Sequence, residues 1–382
     1  MNGQLHGQWY RGGTSKCWLF MGDEMPADRA QIATALAAVF GSGDDRQLNG
    51  VGGASSTTSK AAIISPSAIP GIDISYLFAQ VGIGQTAVEF TSNCGNCASA
   101  VALFAIQNGL VRAGGDVTEV RMINENTRSV LVAEVATPGR AIPTDGDETI
   151  PGSAMPGVPV NVFFENVDGT STGELLPAGA ATTVLSAAGR TVTVSAIDAG
   201  APACFVSATD LGMTGSDTLP EVRLRLPELL AIRESASQAM GLTLPGEDPS
   251  PAVPKVGIIG PAEDFTTTTG ERVAAASYDL SVRMVSMFDP HPAIGLTAAI
   301  ALARAAFVDG SLVRSLIGPD RLLSRGGEVS IRIGTPAGVI TCEVQLDSAG
   351  DVARLGVRRV ARRIAAADID LPHADTALQL VG

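Results

Sequence analysis

Val88-Glu89-Phe90-Thr91-Ser92-Asn93-Cys94-Gly95-Asn96-Cys97-Ala98-Ser99-Ala100-Val101-Ala102-Leu103-Phe104-Ala105-Ile106-Gln107-Asn108-Gly109-Leu110-Val111 is the stretch that decides how this chain is read. Val88, Phe90 and Thr91 favour a strand, Asn93 to Asn96 make a small polar turn, and Ala98 to Ile106 read as an Ala-rich helix closed by Asn108-Gly109. Cys94 therefore falls where a strand passes into a helix N-terminus. The first turn of a helix leaves backbone N–H groups without partners and carries the positive end of the macrodipole, so it can hold an anion and lower a thiol's pKa. Cys94 is on that ground a candidate acid or base, although burial as a small apolar residue suits Cys94 and Cys97 equally well. A metal site built on this pair would need a second pair of ligands, and Cys17, Cys204 and Cys342 are isolated from one another. A thioredoxin-type redox pair lacks its usual Trp and Pro neighbours.

Composition sets the outer bounds. The chain has 382 residues, 45% hydrophobic and 17% charged, enough for a large core and two domains. A formal charge of −13 argues against nucleic acid or an anionic membrane as partner, since both call for a basic footprint. An anionic ligand would have to be drawn in by local dipoles against that field. Five cysteines, with no leader-like start, point to a reducing cytoplasm, and no apolar run has the length of a membrane span.

Outward from the central stretch, Gln8 to Phe20 reads as strand, glycine turn, strand, with Arg11-Gly12-Gly13-Thr14-Ser15-Lys16 at the turn. The order of Thr14-Ser15-Lys16 and the strand after it exclude a P-loop. Arg11, Thr14 and Ser15 are either donors to a carboxylate or parts of an ordinary hairpin. Asp28 to Phe40 has helical spacing behind Pro26. The glycines of Gly50 to Gly53 have no strand before them and no helix after, so a dinucleotide loop is a weak reading of them. A hydroxyl-rich loop then delivers Lys60 to an apolar strand. Lysine at a strand end usually snorkels to solvent; buried, it would drop toward a pKa of roughly 7 to 8 and could shuttle protons.

Thr118 to Ile123 and Val130 to Val135 form a hairpin, Ala136 to Pro159 is loop, and Val160 to Glu165 and Val192 to Ile197 are strands. A helix over Pro227 to Met240 and a short strand over Lys255 to Gly260 follow. Ser281 to Met287, then Asp289-Pro290-His291-Pro292, then a helix over Leu296 to Phe307 repeat the strand, turn and Ala-rich helix of Val88 to Val111. The hairpin Val329 to Val344 likewise matches Val120 to Val135. The expected fold is mixed α/β: two copies of one unit, each a curved sheet around a central helix, over residues 1–185 and 186–382, with the last residues packing back on the first domain. Two helix N-termini would make a trap for a multiply charged anion, with His291, Gly295 and Thr297 on the second side; His291 can equally be a loop cap.

Arg11 to Lys16, Thr58-Ser59-Lys60 ahead of an Ile-rich strand, Asn93-Cys94-Gly95-Asn96, Asn108 to Val111, Asn124 to Thr127, Thr172 to Pro177 and Asp198-Ala199-Gly200 together resemble the PrpF family, in the same order over essentially the whole chain. That family includes 2-methylaconitate cis-trans isomerase, 4-oxalomesaconate tautomerase and 3-methylitaconate Δ-isomerase. The resemblance implies a diaminopimelate epimerase-like fold with the active site between its two domains. It also implies cofactor-independent, metal-free proton transfer on a small unsaturated di- or tricarboxylate, with Lys60 and Cys94 as the catalytic pair. Oligomeric state is left open between monomer and homo-oligomer. Three positions depart from the family: Cys17 where Gly is usual, Cys97 where Met is usual, and Ala178 where Thr is usual. They bear on the substrate more than on the chemistry.

The expected reaction is an allylic shift. Lys60 removes a proton γ to a conjugated carboxylate, and Lys60 or Cys94 returns it at the other end of the three-carbon unit. Backbone N–H groups at Gly95 to Cys97 and Gly295 to Thr297, with Arg11, Thr14, Ser15 and Arg283, would stabilise the dienolate; Ser59, Asn93 and Asn96 complete the expected substrate-binding set. Two alternatives stay open. A two-thiol epimerase would need a second cysteine in the Asp289 to Thr297 turn, which has none. The other is a carboxylate-binding protein without turnover.

Overall fold

The computed structural model describes residues 3–90, 94–153, 155–244, 247, 250, 253–323 and 326–371. Two compact units result: one takes the chain up to Phe163 and from Arg359 on, the other Phe164–Arg358. The junction expected near residue 185 falls inside a strand, Thr183–Ala187, that is hairpinned to Arg190–Ala199, so the second unit starts earlier in the chain.

The first unit runs β1 (Gln4–Gly12), β2 (Ser15–Met21), α1 (Arg29–Phe40), β3 (Lys60–Pro66), β4 (Ile74–Val81), β5 (Val88–Glu89), α2 (Gly95–Gln107), β6 (Val117–Asn124), β7 (Val130–Ala136) and most of β8 (Val158–Glu165). The second contains β9 (Thr183–Ala187), β10 (Arg190–Ala199), β11 (Ala201–Ser207), α3 (Leu219–Leu224), α4 (Leu226–Ala239), β12 (Lys255–Pro261), the small ribbon β13 (Phe265–Thr266) and β14 (Arg272–Val273), β15 (Leu280–Ser286), β16 (Asp289–Pro290), α5 (Leu296–Ala305), α6 (Leu312–Ile317), β17 (Glu328–Thr335) and β18 (Gly338–Leu346). A 19-residue strand, β19 (Val352–Asp370), begins in the second unit and ends in the first.

The duplication read from the sequence is present in the strand pairing. In the first unit β1 and β2 are antiparallel, β2 and β3 parallel, β3 and β4 antiparallel, β4 and β6 parallel, and β6 and β7 antiparallel. The second unit repeats these senses in the same order through β10, β11, β12, β15, β17 and β18. One detail of the expected match shifts: Ser281 to Ser286 is the counterpart of β4, and the short β16 is that of β5. The late half of β19 closes the first unit by pairing antiparallel with β1, from Gln4↔Asp370 to Gly12↔Ala361.

Each unit folds around an alanine-rich helix because small side chains let a sheet approach from several directions. In α2 every residue from Cys97 to Ile106 is at most 1% exposed, so it is buried all round. Leucine at the alanine positions would hold the strands off. Its counterpart α5 is buried in the same way from Ala298 to Ala303. On the other face of each sheet lies a second helix: α1 packs with Trp18, Phe20, Ala61 and Ile63, and α4 with Cys204, Val206, Val256 and Ile258. Asp28 caps α1 by accepting from the N–H groups of Ala30 and Gln31. Among the described residues no helix is long and apolar enough to cross a membrane.

Candidate functional site

Cys94 is the N-cap of α2, with Gly95 the first helical residue, as the strand-to-helix reading requires. The β1–β2 turn lies directly on this helix end. A Cβ on Gly12 would come within 2.1 Å of the Asn96 carbonyl oxygen, and one on Gly13, whose φ is +53°, within 2.3 Å of the Asn96 side-chain oxygen. Two glycines are what allow the turn to sit there. The contact is polar as well as close: Asn96 Nδ2 donates to Thr14 Oγ1 at 3.1 Å and Ser15 Oγ at 3.3 Å. Thr14, Ser15 and Asn96, three of the expected substrate contacts, are thus gathered at the N-terminus of α2.

Lys60 opens β3. Side chains alternate along a strand, and since Ala61 and Ile63 pack toward α1, Lys60 faces the α2 side. It is 9% exposed, donates to Gln80 Oε1 at 2.5 Å and lies 5.1 Å from the centre of the Phe78 ring. Gln80 is itself oriented, its Nε2 donating to the Ser59 carbonyl at 3.0 Å. Lys60 therefore does not snorkel to solvent.

The thiol behaves differently from expectation. A hydrogen bond with the Cys97 thiol, and then burial, push Cys94 well above the ordinary thiol range, and the opposing pull of Lys60 is outweighed. Cys97 is pushed up in turn, chiefly by burial and next by a hydrogen bond with Cys17. The two cysteines that depart from the family pattern thus stand in a row behind Cys94. The helix terminus suggested a lowered pKa. The neighbouring thiol and burial prevail over the helix end, and the pKa of the half-buried Cys94 is raised rather than lowered.

Other expected contacts are engaged elsewhere. Ser59 is fully buried and donates to Gln47 Oε1 at 2.5 Å, tying down the glycine loop. Arg11 donates to the carbonyls of Gly13, Met155 and Pro156. Arg283 is 2% exposed, donates to the carbonyls of Asp217, Val282 and Gly334, and lies over the Phe265 ring. It pairs with Ile258 across β12 and β15, on the face that carries α4, which removes it from the α5 side. Asn93 lies outside the described residues.

In the second unit Gly295 is the N-cap of α5, the place Cys94 holds in the first, and Thr297 is in the first turn. His291 precedes the helix. The Ala293 N–H donates to its Nδ1 at 2.9 Å, so the ring proton is on Nε2. Sequence reasoning missed Lys255, which opens β12 as Lys60 opens β3. The signal was visible: Lys60-Ala61-Ala62-Ile63-Ile64-Ser65-Pro66 against Lys255-Val256-Gly257-Ile258-Ile259-Gly260-Pro261. Gln80, which holds Lys60, was missed as well and has no signal in a single sequence.

Residues 4–372 match the family model described as PrpF protein. A (4E)-oxalomesaconate Delta-isomerase of Novosphingobium sp. is 36% identical, over 93% of this chain and 94% of that protein. The crystal structure of a methylitaconate-delta-isomerase superposes with a TM-score of 0.87 at 32% identity, covering 99% of this chain and 97% of that one. For the fold alone, a hydroxyproline epimerase from Agrobacterium vitis aligns with a TM-score of 0.50 at 10% identity, over 98% and 95% of the two chains. The architecture is accordingly the two-domain epimerase-like one.

Proposed function

This chain belongs to the PrpF family, and on that premise we propose that it is a cofactor-independent isomerase moving a proton, and with it a double bond, within a small unsaturated di- or tricarboxylate. The observation that carries the reading is that Lys60, buried at the head of β3, faces the side of the sheet that holds α2, whose N-cap is Cys94. Lys60, acting as the base and steadied by Gln80, takes a proton from the carbon γ to a conjugated carboxylate. The resulting dienolate carries its charge onto carboxylate oxygens, where the first-turn N–H groups of α2 and the hydroxyls of Thr14 and Ser15 can meet it. Cys94 still holds its proton at neutral pH and delivers it to the far end of the three-carbon unit. Transfer from the Lys60 ammonium to the thiolate restores the starting state. The relatives' names point to an aconitate, methylaconitate, methylitaconate or oxalomesaconate skeleton. A net charge of −13 speaks against nucleic acid as a partner, and five free thiols suit a reducing cytoplasm.

A two-thiol epimerase gains no support, because glycine stands at the N-cap of α5. The deciding experiment is proton NMR of cis- and trans-aconitate, methylaconitate, itaconate homologues and oxalomesaconate in D₂O with the protein. Deuterium is expected at an allylic carbon of at least one acid and is expected to vanish in Lys60→Ala. Absence of exchange in all of them would overturn the reading.

A further inference from the structure

We propose that Cys94 and Cys97 are a redox modification site, closing to an intramolecular disulfide when a hydroperoxide oxidises the half-buried Cys94 thiol. The disulfide follows from the first turn of α2. Its effect on turnover rests on the isomerase reading, in which Cys94 delivers its proton to the substrate.

That turn sets the two cysteines side by side. Cys94 is the N-cap and Cys97 the third helical residue, and the Ala98 N–H donates to the Cys94 carbonyl at 2.9 Å, closing the turn that contains both. Residues three apart on a helix have Cα atoms about 5 Å apart, inside the range of about 4.4 to 6.8 Å that a disulfide spans. The two thiols share a hydrogen bond. Cys94 has extended rather than helical backbone angles, φ −124° and ψ 100°, so a small turn of the cap brings its sulfur to Cys97 without opening the helix. Cys17 lies on β2 and faces α2, because Trp18 and Phe20 pack toward α1, and it hydrogen-bonds to Cys97 from behind.

Access is unequal. Cys94 is half-buried, whereas Cys97 and Cys17 are fully buried, so an oxidant meets Cys94 first. Its thiolate attacks one oxygen of hydrogen peroxide, the O–O bond breaks, and a sulfenic acid and water result. The Cys97 sulfur then attacks Cys94 Sγ, the S–O bond breaks, and hydroxide leaves with the Cys97 proton as a second water. Two thiols and one peroxide give one disulfide and two waters, the thiols losing the two electrons that the peroxide gains. The hydrogen bond with Cys97 raises Cys94 and burial raises Cys97, so the attack is slow. The same feature makes the bond persistent, since a reduced pair without thiolate stabilisation is a weak leaving pair and its disulfide resists reduction. Once closed, Cys94 has no proton to give.

The test is peptide mapping of the intact chain after exposure to excess hydrogen peroxide, with free thiols alkylated under denaturing, non-reducing conditions. Cys94 and Cys97 share one tryptic peptide, because no Lys or Arg lies between Ala61 and Val111. That peptide is expected to be unalkylated and lighter by two hydrogens, while Cys17, Cys204 and Cys342 are alkylated. Turnover is expected to fall at least about tenfold on oxidation, as befits a lost acid, and to return with dithiothreitol. In Cys97→Ala the sulfenic acid has no neighbour to resolve it and goes on to sulfinic acid, so dithiothreitol should restore less than about a tenth of that variant's own starting rate. Melting curves check its fold, and Cys97→Ser replaces it if it is unstable. Five alkylated thiols after oxidation, a crosslink to Cys17, or sulfinic acid at Cys94 of the parent protein would overturn the proposal. Should the Cys94–Cys97 bond form in a protein that exchanges deuterium into no acid, the isomerase reading fails and the redox site stands.

Discussion

The entrances of α2 and α5 are built alike and equipped differently. Both helices are alanine-rich and buried, both follow a short strand, and both repeats, β1–β2–β3 and β10–β11–β12, carry a lysine at the head of their third strand. At the cap the first unit has Cys94 and the second Gly295. The first unit packs its glycine turn onto the helix end, through Gly12 and Gly13 against Asn96, while a Cβ at Gly295 would touch nothing within 4 Å. A duplicated backbone has kept its hydrogen-bonding pattern while its two helix ends took different side chains. The scaffold is fixed by long-range pairing, so side chains at a helix cap can change without disturbing it.

Several substitutions break or sharpen this contrast. Removing the first lysine, Lys60→Ala, should cut deuterium exchange by about 10³-fold, the scale of a lost general base. Cys94→Ala should cost about 10²-fold in kcat, and kinetics equal to the parent would show that the thiol is as dispensable in the first unit as in the second. Gly12→Ala drives a Cβ into the Asn96 carbonyl, and since backbone meets backbone, a loss of about 2 kcal/mol in denaturant unfolding is expected. Alkaline pH should lower the melting temperature by a smaller amount. Burial pushes Cys204 from 9.0 to about 12, and Cys94 and Cys97 are raised as well. Unfolded thiols lose protons that the folded ones keep, so stability is full below about pH 9 and is lost as pH rises through the folded values. The smallest effect belongs to Gly295→Ala: φ −67° and ψ 145° suit any residue and the space is open, so stability should change by less than about 0.5 kcal/mol.

Much of this was legible in the letters. The cap and stop residues bound α2 closely, α5 and the two matched hairpins emerged from one self-comparison, and Lys60 with Cys94 came from motif and helix-end reasoning together. What escaped depends on contacts distant in the chain. Val352 to Asp370, rich in arginine and alanine, carries no clear strand signal and becomes a strand by pairing with β18 and then β1. The domain junction was set too late because nothing local reveals that Thr183–Ala187 turns back on Arg190–Ala199. The direction of the Cys94 shift was misjudged because a helix end can be seen in sequence and the thiols of Cys97 and Cys17 beside it cannot. Lys255 is the exception: it was readable, had the repeat been extended back from the helix to the third strand.

The strand that begins in one unit and ends in the other bears on how the protein is made. The second unit is one uninterrupted segment, whereas the first draws its closing strand from beyond residue 358. During synthesis the later-translated unit can mature while the earlier one waits with β1 exposed as an open sheet edge, the kind of edge that recruits stray strands and chaperones. The first unit is therefore translated first and completed later, since its closing strand arrives only after all of the second unit.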